Sequence, residues 1–199
     1  MRKFLEKMLE SDGEYKEFIF KDFKFNNESL GGLFFDFCSF VESNLSYSVL
    51  DDIYIKSSTF ERCNLSNIKT IGGNLNLSNF LKVKFTGWDL ENGVLKNTNF
   101  VSCKINLVNF SGSELKEVVF KDCDLKESSF QEVVLDDVRF IECDLRMADF
   151  SGASLKKVDL RGSKIEGLKI SPKQFEGIII DPSQATYFAL LSGIKIKEL

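Results

Sequence analysis

Two segments twenty residues apart hold the side chains best suited to chemistry. FKDCDLKESSF (Phe120–Phe130) and FIECDLRMADF (Phe140–Phe150) each place a Cys-Asp-Leu triplet three residues after a phenylalanine. Thiolates beside carboxylates are the donors of a metal site or the makings of a redox pair. The rest of the sequence argues against both. The five cysteines are an odd number without a CxxC spacing, which fits a reducing compartment better than a disulfide framework. Histidine is absent, and with it the commonest general base and metal ligand. No GxSxG, P-loop or glycine-rich nucleotide fingerprint is present. Acidic pairs such as Asp51-Asp52 and Asp136-Asp137 fall at outward sites, without the enclosed pocket that tunes a catalytic acid. The chain is therefore expected to be non-enzymatic, with no cofactor and no metal.

The interval between the triplets points to the elements that carry them. Every fifth residue from Phe20 to Ile180 is Phe, Leu or Ile at 32 of 33 sites, the exception being Thr70. Two residues earlier, all fifteen sites from Gly93 to Ser163 are small. Neither a helix, with period 3.6, nor a strand, with period 2, repeats in this way. A chain that turns regularly does. One central residue per side of a four-sided coil uses twenty residues per turn. Side-chain identity follows that longer period: Phe20, Phe40, Phe60, Phe80, Phe100, Phe120 and Phe140 form one column, and Leu75, Leu95, Leu115, Leu135 and Leu155 another. All five cysteines, Cys38, Cys63, Cys103, Cys123 and Cys143, fall on the small inward site, where a free thiol serves as a compact apolar filler. Five free thiols are expected.

Composition bounds the function. The chain has 199 residues, 26 Lys plus Arg against 30 Asp plus Glu, and a net charge of −4. This mild acidic balance lacks the basic footprint of a protein that binds nucleic acid directly. No apolar run is long enough to span a membrane. The start, MRKFLEKMLESDGE, lacks the apolar core of a leader, so a cytoplasmic location is expected. Only two prolines occur, Pro172 and Pro182, which leaves the backbone donors of a long hydrogen-bonded ladder intact.

The local unit resembles the pentapeptide-repeat family, whose pattern A(D/N)LXX is matched by CDLKE, CDLRM, ADFSG, ASLKK, VDLRG and CNLSN. The resemblance covers about Phe18 to Ile180. It implies an all-β fold, a right-handed quadrilateral β-helix, here of about eight coils and roughly 40 Å in length. Residues 1–14 are expected to form an N-terminal cap, 15–180 the β-helix, and 181–199 a C-terminal helix and strand. RKFLEKMLE spaces Phe4, Leu5, Met8 and Leu9 as an amphipathic turn. The outward apolar residues Phe34, Phe37, Tyr54 and Leu77 either receive that turn or mark a partner surface. Between residues 69 and 93 the pattern frays: Thr70 is polar at a central site, Gly73 and Gly93 leave inward gaps, and Trp88 is too large for its place. Glu28 is a charge at a small site. A packing irregularity is the simpler reading of the 69–93 stretch, a functional feature the other. In IDPSQATYFALLSGIKIKEL, Asp181 suits an N-cap, Pro182 the first helical position and Gly193 the C′ site, with IKI as a short strand.

Similarity to Qnr-like members implies more. Those proteins are rod-shaped acidic dimers that bind DNA gyrase or topoisomerase IV as DNA mimics, and some protect these enzymes from quinolones. By the resemblance, the C-terminal segment is a homodimerisation module with Tyr187, Phe188, Leu190, Leu191, Ile194 and Ile196 at its interface. Between Glu114 and Asp149 stand eleven acids and five bases. From these, Glu117, Asp122, Asp124, Glu132, Asp136, Asp137, Glu142 and Asp144 make up the expected partner-binding acidic face. The other reading is a non-catalytic solenoid scaffold for a different protein partner. The unbroken register leaves no place for the projecting loops that many Qnr-like proteins carry.

Overall fold

In a computed structural model the chain is described from residue 13 to residue 197; the expected N-terminal turn of residues 2–10 lies outside this range. The backbone explains the period of five. At every fifth residue from Glu17 to Gly167 the chain enters the left-handed region, with φ between 48° and 75°. One such residue in every five turns the chain by a corner, and four corners close a coil. Twenty-four of these corners are not glycine, and none of the twenty-four is Val, Ile or Thr. Left-handed backbone costs about 1–2 kcal/mol for an L-residue, and β-branching worsens the clash. Local preference thus shapes the corners, and the stack above and below holds the remaining L-residues in place.

Successive coils pair in parallel and exact multiples of twenty set the register. An eight-stranded sheet runs from Glu14–Lys16 to Ser154–Lys156, and a seven-stranded sheet from Ile19–Lys21 to Arg139–Ile141. The other two sides of the rod are held by single bridges, such as Asp124 with Asp144 and Asp89 with Asn109. The sides are numbered here in chain order: the eight-stranded sheet is the first, the seven-stranded sheet the second, and the bridged ones the third and fourth. The result is a parallel β-solenoid of about seven full turns, one fewer than the sequence suggests, because the last turn is completed by irregular segments.

Central residues point inward and stack. The seven phenylalanines from Phe20 to Phe140 lie face to face with ring centroids 4.4–5.1 Å apart. Such offset pairs add about 0.5–1.5 kcal/mol each beyond burial. The small inward residue bridges to the coil below. Ser113 Oγ donates to Leu90 O at 2.8 Å, and Cys103, Cys123 and Cys143 Sγ lie 3.3–3.4 Å from the carbonyls of Phe80, Phe100 and Phe120. All five cysteines are free and buried. Burial raises the Cys38 and Cys63 thiols. Cys103 is raised by its bond to Cys123 and by burial. In Cys123 the bond to Cys103 acts downward, but the Cys143 thiol and burial outweigh it and push the group up to about 12. These are inert fillers, not nucleophiles.

The frayed stretch is a packing exception. Trp88 Nε1 donates to Thr70 Oγ1 at 2.8 Å, so the polar residue at the central site satisfies the one polar atom of the oversized one. The indole stacks on Phe85 at 4.6 Å. A Cβ at Gly93 would stand 2.6 Å from Leu90 Cγ, and one at Gly73 2.8 Å from Thr70 O. The two glycines leave room for Leu90, whose Cδ1 lies within 3.3 Å of the Cβ position at both. Glu28, the residue after the corner at Asn27, is exposed, so its charge does not enter the core.

Two prolines end the rod. Pro172 and Pro182 fall on corner positions, where a locked φ near −65° forbids the left-handed turn. Each opens a 3-10 turn instead, SPKQ and DPSQ, ten residues apart. The glutamine of each folds back over the last regular coil. Gln174 Nε2 donates to Phe150 O and Ala153 O, and Gln184 Nε2 to Leu160 O and Ser163 O, all at 2.7–2.8 Å. Asp181 accepts from Ser183 N and Gln184 N, and the helix Ala185–Leu191 follows. It closes with Gly193 at φ 83° and with Ile194 N bonded to Ala189 O, a Schellman ending. IKI does not form a strand, because no neighbouring strand is there to pair with it among the described residues.

Candidate partner-binding surface

With the core filled, recognition falls to three outward positions in each five-residue unit. The eight carboxylates singled out in sequence do not share a side. Asp136 lies on the first side, with Glu117 and Asp137 at the corner that ends it. Asp122 and Glu142 occupy the corner after the second side, Asp124 and Asp144 the third side, and Glu132 the corner after the fourth. They ring the rod. Four of them do meet: Asp122, Asp124, Glu142 and Asp144 line one shallow groove with Gly162 and Lys164. Glu117 and Asp137 line another with Asn97, Asn99, Val119 and Arg139.

Local cations answer part of this charge. Lys126 lies 3.5 Å from Asp124, Arg146 2.7 Å from Asp144, and Lys156 3.6 Å from Asp136. The Arg146 guanidinium beside Asp144 holds that carboxyl below the usual range. Among the described residues, Glu117, Asp122, Glu132, Asp137 and Glu142 have no cation within 4 Å.

Sorted by side, residues 13–172 show a different excess. The first side carries seven acids and six bases, the second six of each, and the third four acids and six bases. The fourth side carries seven acids, Glu28, Asp51, Asp52, Asp89, Glu91, Glu132 and Asp149, against only Lys69 and Lys169. From Asp51 to Asp149 is five coil steps, about 24 Å along the axis. Amides and hydroxyls fix several of these groups. Asp51 Oδ1 accepts from Ile71 N, Asp89 Oδ1 from Asn109 Nδ2, and Asp149 from Gln131 Nε2 and Ser151 N, at 2.9–3.0 Å. Burial acts to raise the Asp149 carboxyl, but its bonds to Ser151, Gln131 and Lys169 outweigh this and take it down to about 2. It is ionised throughout the physiological range. Of the eight carboxylates of the expected acidic face, only Glu132 lies on this side. The signal was there, in the residue numbers taken modulo twenty, but local charge density hides it.

Apolar groups are exposed at several places, among them Tyr47, Leu107 and Met147 at the corner that ends the third side. Phe37, Leu77 and Ile19 are open near the first side, where Phe34 and Tyr54 stack at 5.1 Å. At the C-terminus, Phe188 is buried against Phe175 and Tyr187 donates its hydroxyl to Leu168 O, so both close the chain's own core. Leu191 is half-buried, while Leu190, Ile194 and Ile196 each remain more than half exposed. Among the described residues no group of three or more His, Cys, Asp or Glu is placed to hold a metal ion, and no helix is long and apolar enough to cross a membrane.

Residues 93–170 and 113–186 match the family model described as a pentapeptide repeat region. No curated protein matches the chain in sequence. Among solved structures, the chain is similar to two trypsin-treated forms of QnrB1, a plasmid-mediated fluoroquinolone resistance protein. Both are 15% identical, with TM-scores of 0.50 and 0.51; the match covers 93% and 92% of this chain and 100% and 97% of theirs. HetL, a pentapeptide repeat protein involved in heterocyst differentiation regulation in the cyanobacterium Nostoc, is 13% identical over 90% of this chain and 94% of its own, with a TM-score of 0.38.

Proposed function

We propose that this chain, a pentapeptide-repeat β-solenoid, is a non-enzymatic protein that binds a type II topoisomerase, DNA gyrase or topoisomerase IV, in the place of DNA. The observation that carries this reading is the fourth side of the rod, with seven carboxylates against two lysines. A surface built to bind DNA phosphates presents basic residues, and a lengthwise row of fixed anions complements it. Likeness in fold to a fluoroquinolone resistance protein supports the same class of partner and makes quinolone protection the natural phenotype to assay. The exposed Leu190, Ile194 and Ile196 support a homodimer through the C-terminus, which would place two acidic sides end to end. We place the protein in the cytoplasm, where its five thiols stay reduced.

The test is a supercoiling assay with purified gyrase, with and without a quinolone. Wild-type protein at micromolar concentration inhibits supercoiling or relieves the drug. Asp51→Lys with Asp89→Lys weakens the effect in a salt-dependent way, and more than Asp122→Lys with Glu142→Lys does. No effect of the wild type in either format removes topoisomerase as the partner. The exposed Phe37 and Leu77 favour the alternative, a scaffold for another protein, which Phe37→Ser would then disrupt.

A further inference from the structure

Charge is segregated by sign along one face of the rod, the third side with the corner before it. Residues 82–87 and 102–107 on that face hold Lys82, Lys84 and Lys104 and no acid. Residues 122–127 and 142–147 hold five acids, Asp122, Asp124, Glu127, Glu142 and Asp144, against Lys126 and Arg146. Like charges are stacked rather than alternated: Lys84 bridges to Lys104, and Asp124 to Asp144. Like charges directly opposite one another destabilise a strand pair, and an alternating order would have avoided this. The three lysines are exposed, and none has a carboxylate within 4 Å among the described residues. Asp122 and Glu142 are exposed and equally unpaired. Each cluster is short of what the other supplies.

The order of these residues relates the clusters by a two-fold axis. On the third side one outward column runs Lys84, Lys104, Asp124, Asp144; at the corner before it another runs Lys82, Ser102, Asp122, Glu142. Both change sign at the same height, between the coil of Lys104 and the coil of Asp124. A second rod, turned end for end about that height and laid on this face, keeps each column opposite itself and reverses its order. Lys84 then faces Asp144 of the second copy, Lys104 faces Asp124, and Lys82 faces Glu142. Lys164, the next in the column, faces the neutral Asn64. The corner at the far edge of the side fits the same operation. Met147 and Leu107 are more than half exposed there. Met147 comes over Gly87, a corner with no side chain, and the two copies of Leu107 meet one coil step, about 4.8 Å, apart along the axis.

We propose that this face is a self-docking surface, on which two copies of the chain pair side by side and antiparallel. The interface is isologous, so each contact is made twice. Complementary charge selects the antiparallel register, because a parallel pairing on the same face sets lysine against lysine and carboxylate against carboxylate. One side of the rod is narrow and its contacts are mainly exposed ion pairs, so the association is weak and falls with salt. It uses a different surface from Leu190, Ile194 and Ile196, and it rests on neither the topoisomerase reading nor the C-terminal homodimer.

Sedimentation of the full-length protein tests this, in a background carrying Leu190→Ser and Ile194→Ser so that the C-terminal contact does not contribute. The background protein is expected to self-associate at low salt and to dissociate in about 1 M sodium chloride, where the Debye length is roughly 3 Å. Lys84→Glu with Lys104→Glu makes the face acidic throughout, and Asp124→Lys with Asp144→Lys makes it basic. Each pair of changes alone weakens self-association about tenfold or more. An equimolar mixture of the two variants restores it as a heterodimer, which damage to the fold of either would not do. Independently, Leu107→Cys in the background is cross-linked to a dimer by a short bismaleimide, and Leu77→Cys, at the corner that ends the first side, is not. A background protein that stays monomeric at low salt overturns the pairing and leaves the face to a different protein. Self-association that survives both reversals, a mixture that does not associate, or equal cross-linking at both positions overturns it as well.

Discussion

From Leu95 to Leu145 the interior repeats itself: phenylalanine lies on phenylalanine, leucine on leucine, and Cys103, Cys123 and Cys143 fill one column with the same bond to the coil below. From Thr70 to Gly93 the same backbone encloses a tryptophan, a threonine and two glycines, none of which fits the pattern alone. The register is identical in both stretches. In the first, each column is filled by residues of similar size from turn to turn. In the second, Trp88 and Thr70 depend on one another, and a narrow apolar void of about 20 Å³ lined by residues from Phe35 to Trp88 ends there. The period of the backbone is thus enforced by the ladder and the corners. The side chains need only fill the volume, singly or as a set.

The comparison can be broken most forcefully at Trp88. Trp88→Ala should cost about 3–5 kcal/mol, read as a fall in the urea midpoint, because it removes the largest buried side chain and orphans Thr70. Trp88→Val with Thr70→Leu, which restores the pattern, should lose much less than Trp88→Ala alone; additive losses would show that the set is not coupled. Next in size is Gln184→Ala, expected to cost about 2–3 kcal/mol by stripping Leu160 O and Ser163 O of their donor. A smaller loss would mean that water replaces the amide and that the end of the rod is wet. Cys123→Ser should change stability by less than about 1 kcal/mol, since Ser113, Ser128 and Ser163 play the same part elsewhere. A loss as large as that at Trp88 would make the repetitive stretch as context-bound as the irregular one. Smallest is a pH effect. The folded pKa values of Asp144, Asp149 and Asp159 are depressed. Their contribution is present above the unfolded carboxyl pKa, near 3.8, and is lost as pH falls through the folded values, about 2 for Asp149. The thermal midpoint should fall from pH 4 toward pH 2, and Asp149→Asn should flatten that fall.

The period of five made the core legible, because burial of one residue in five leaves a compositional trace that nothing else imitates. Phe20 through Phe140 and all five cysteines lie where the pattern places them. The ends were less legible, since they depend on what is missing. Ile194–Ile196 reads as a strand by composition, but a strand needs a neighbour. Pro172 and Pro182 read as helix and turn formers; that both fall on left-handed corners shows only once those corners are known. The charged surface was least legible. Asp122 and Glu132 are close in sequence and lie at different corners, while Asp51 and Asp149 are far apart in sequence and lie on one side.

That geometry gives insertions and deletions an unusual grammar. Twenty residues added ahead of Pro172 would lengthen the rod by one step of about 4.8 Å and leave every downstream side chain facing as before. Five would fit the core equally well yet turn everything after them by a quarter of a revolution, carrying Asp149 off the fourth side and leaving Asp51 behind. A change invisible to the hydrophobic interior would thus redraw the surface, so the length of this protein can drift by whole turns far more freely than by fractions of one.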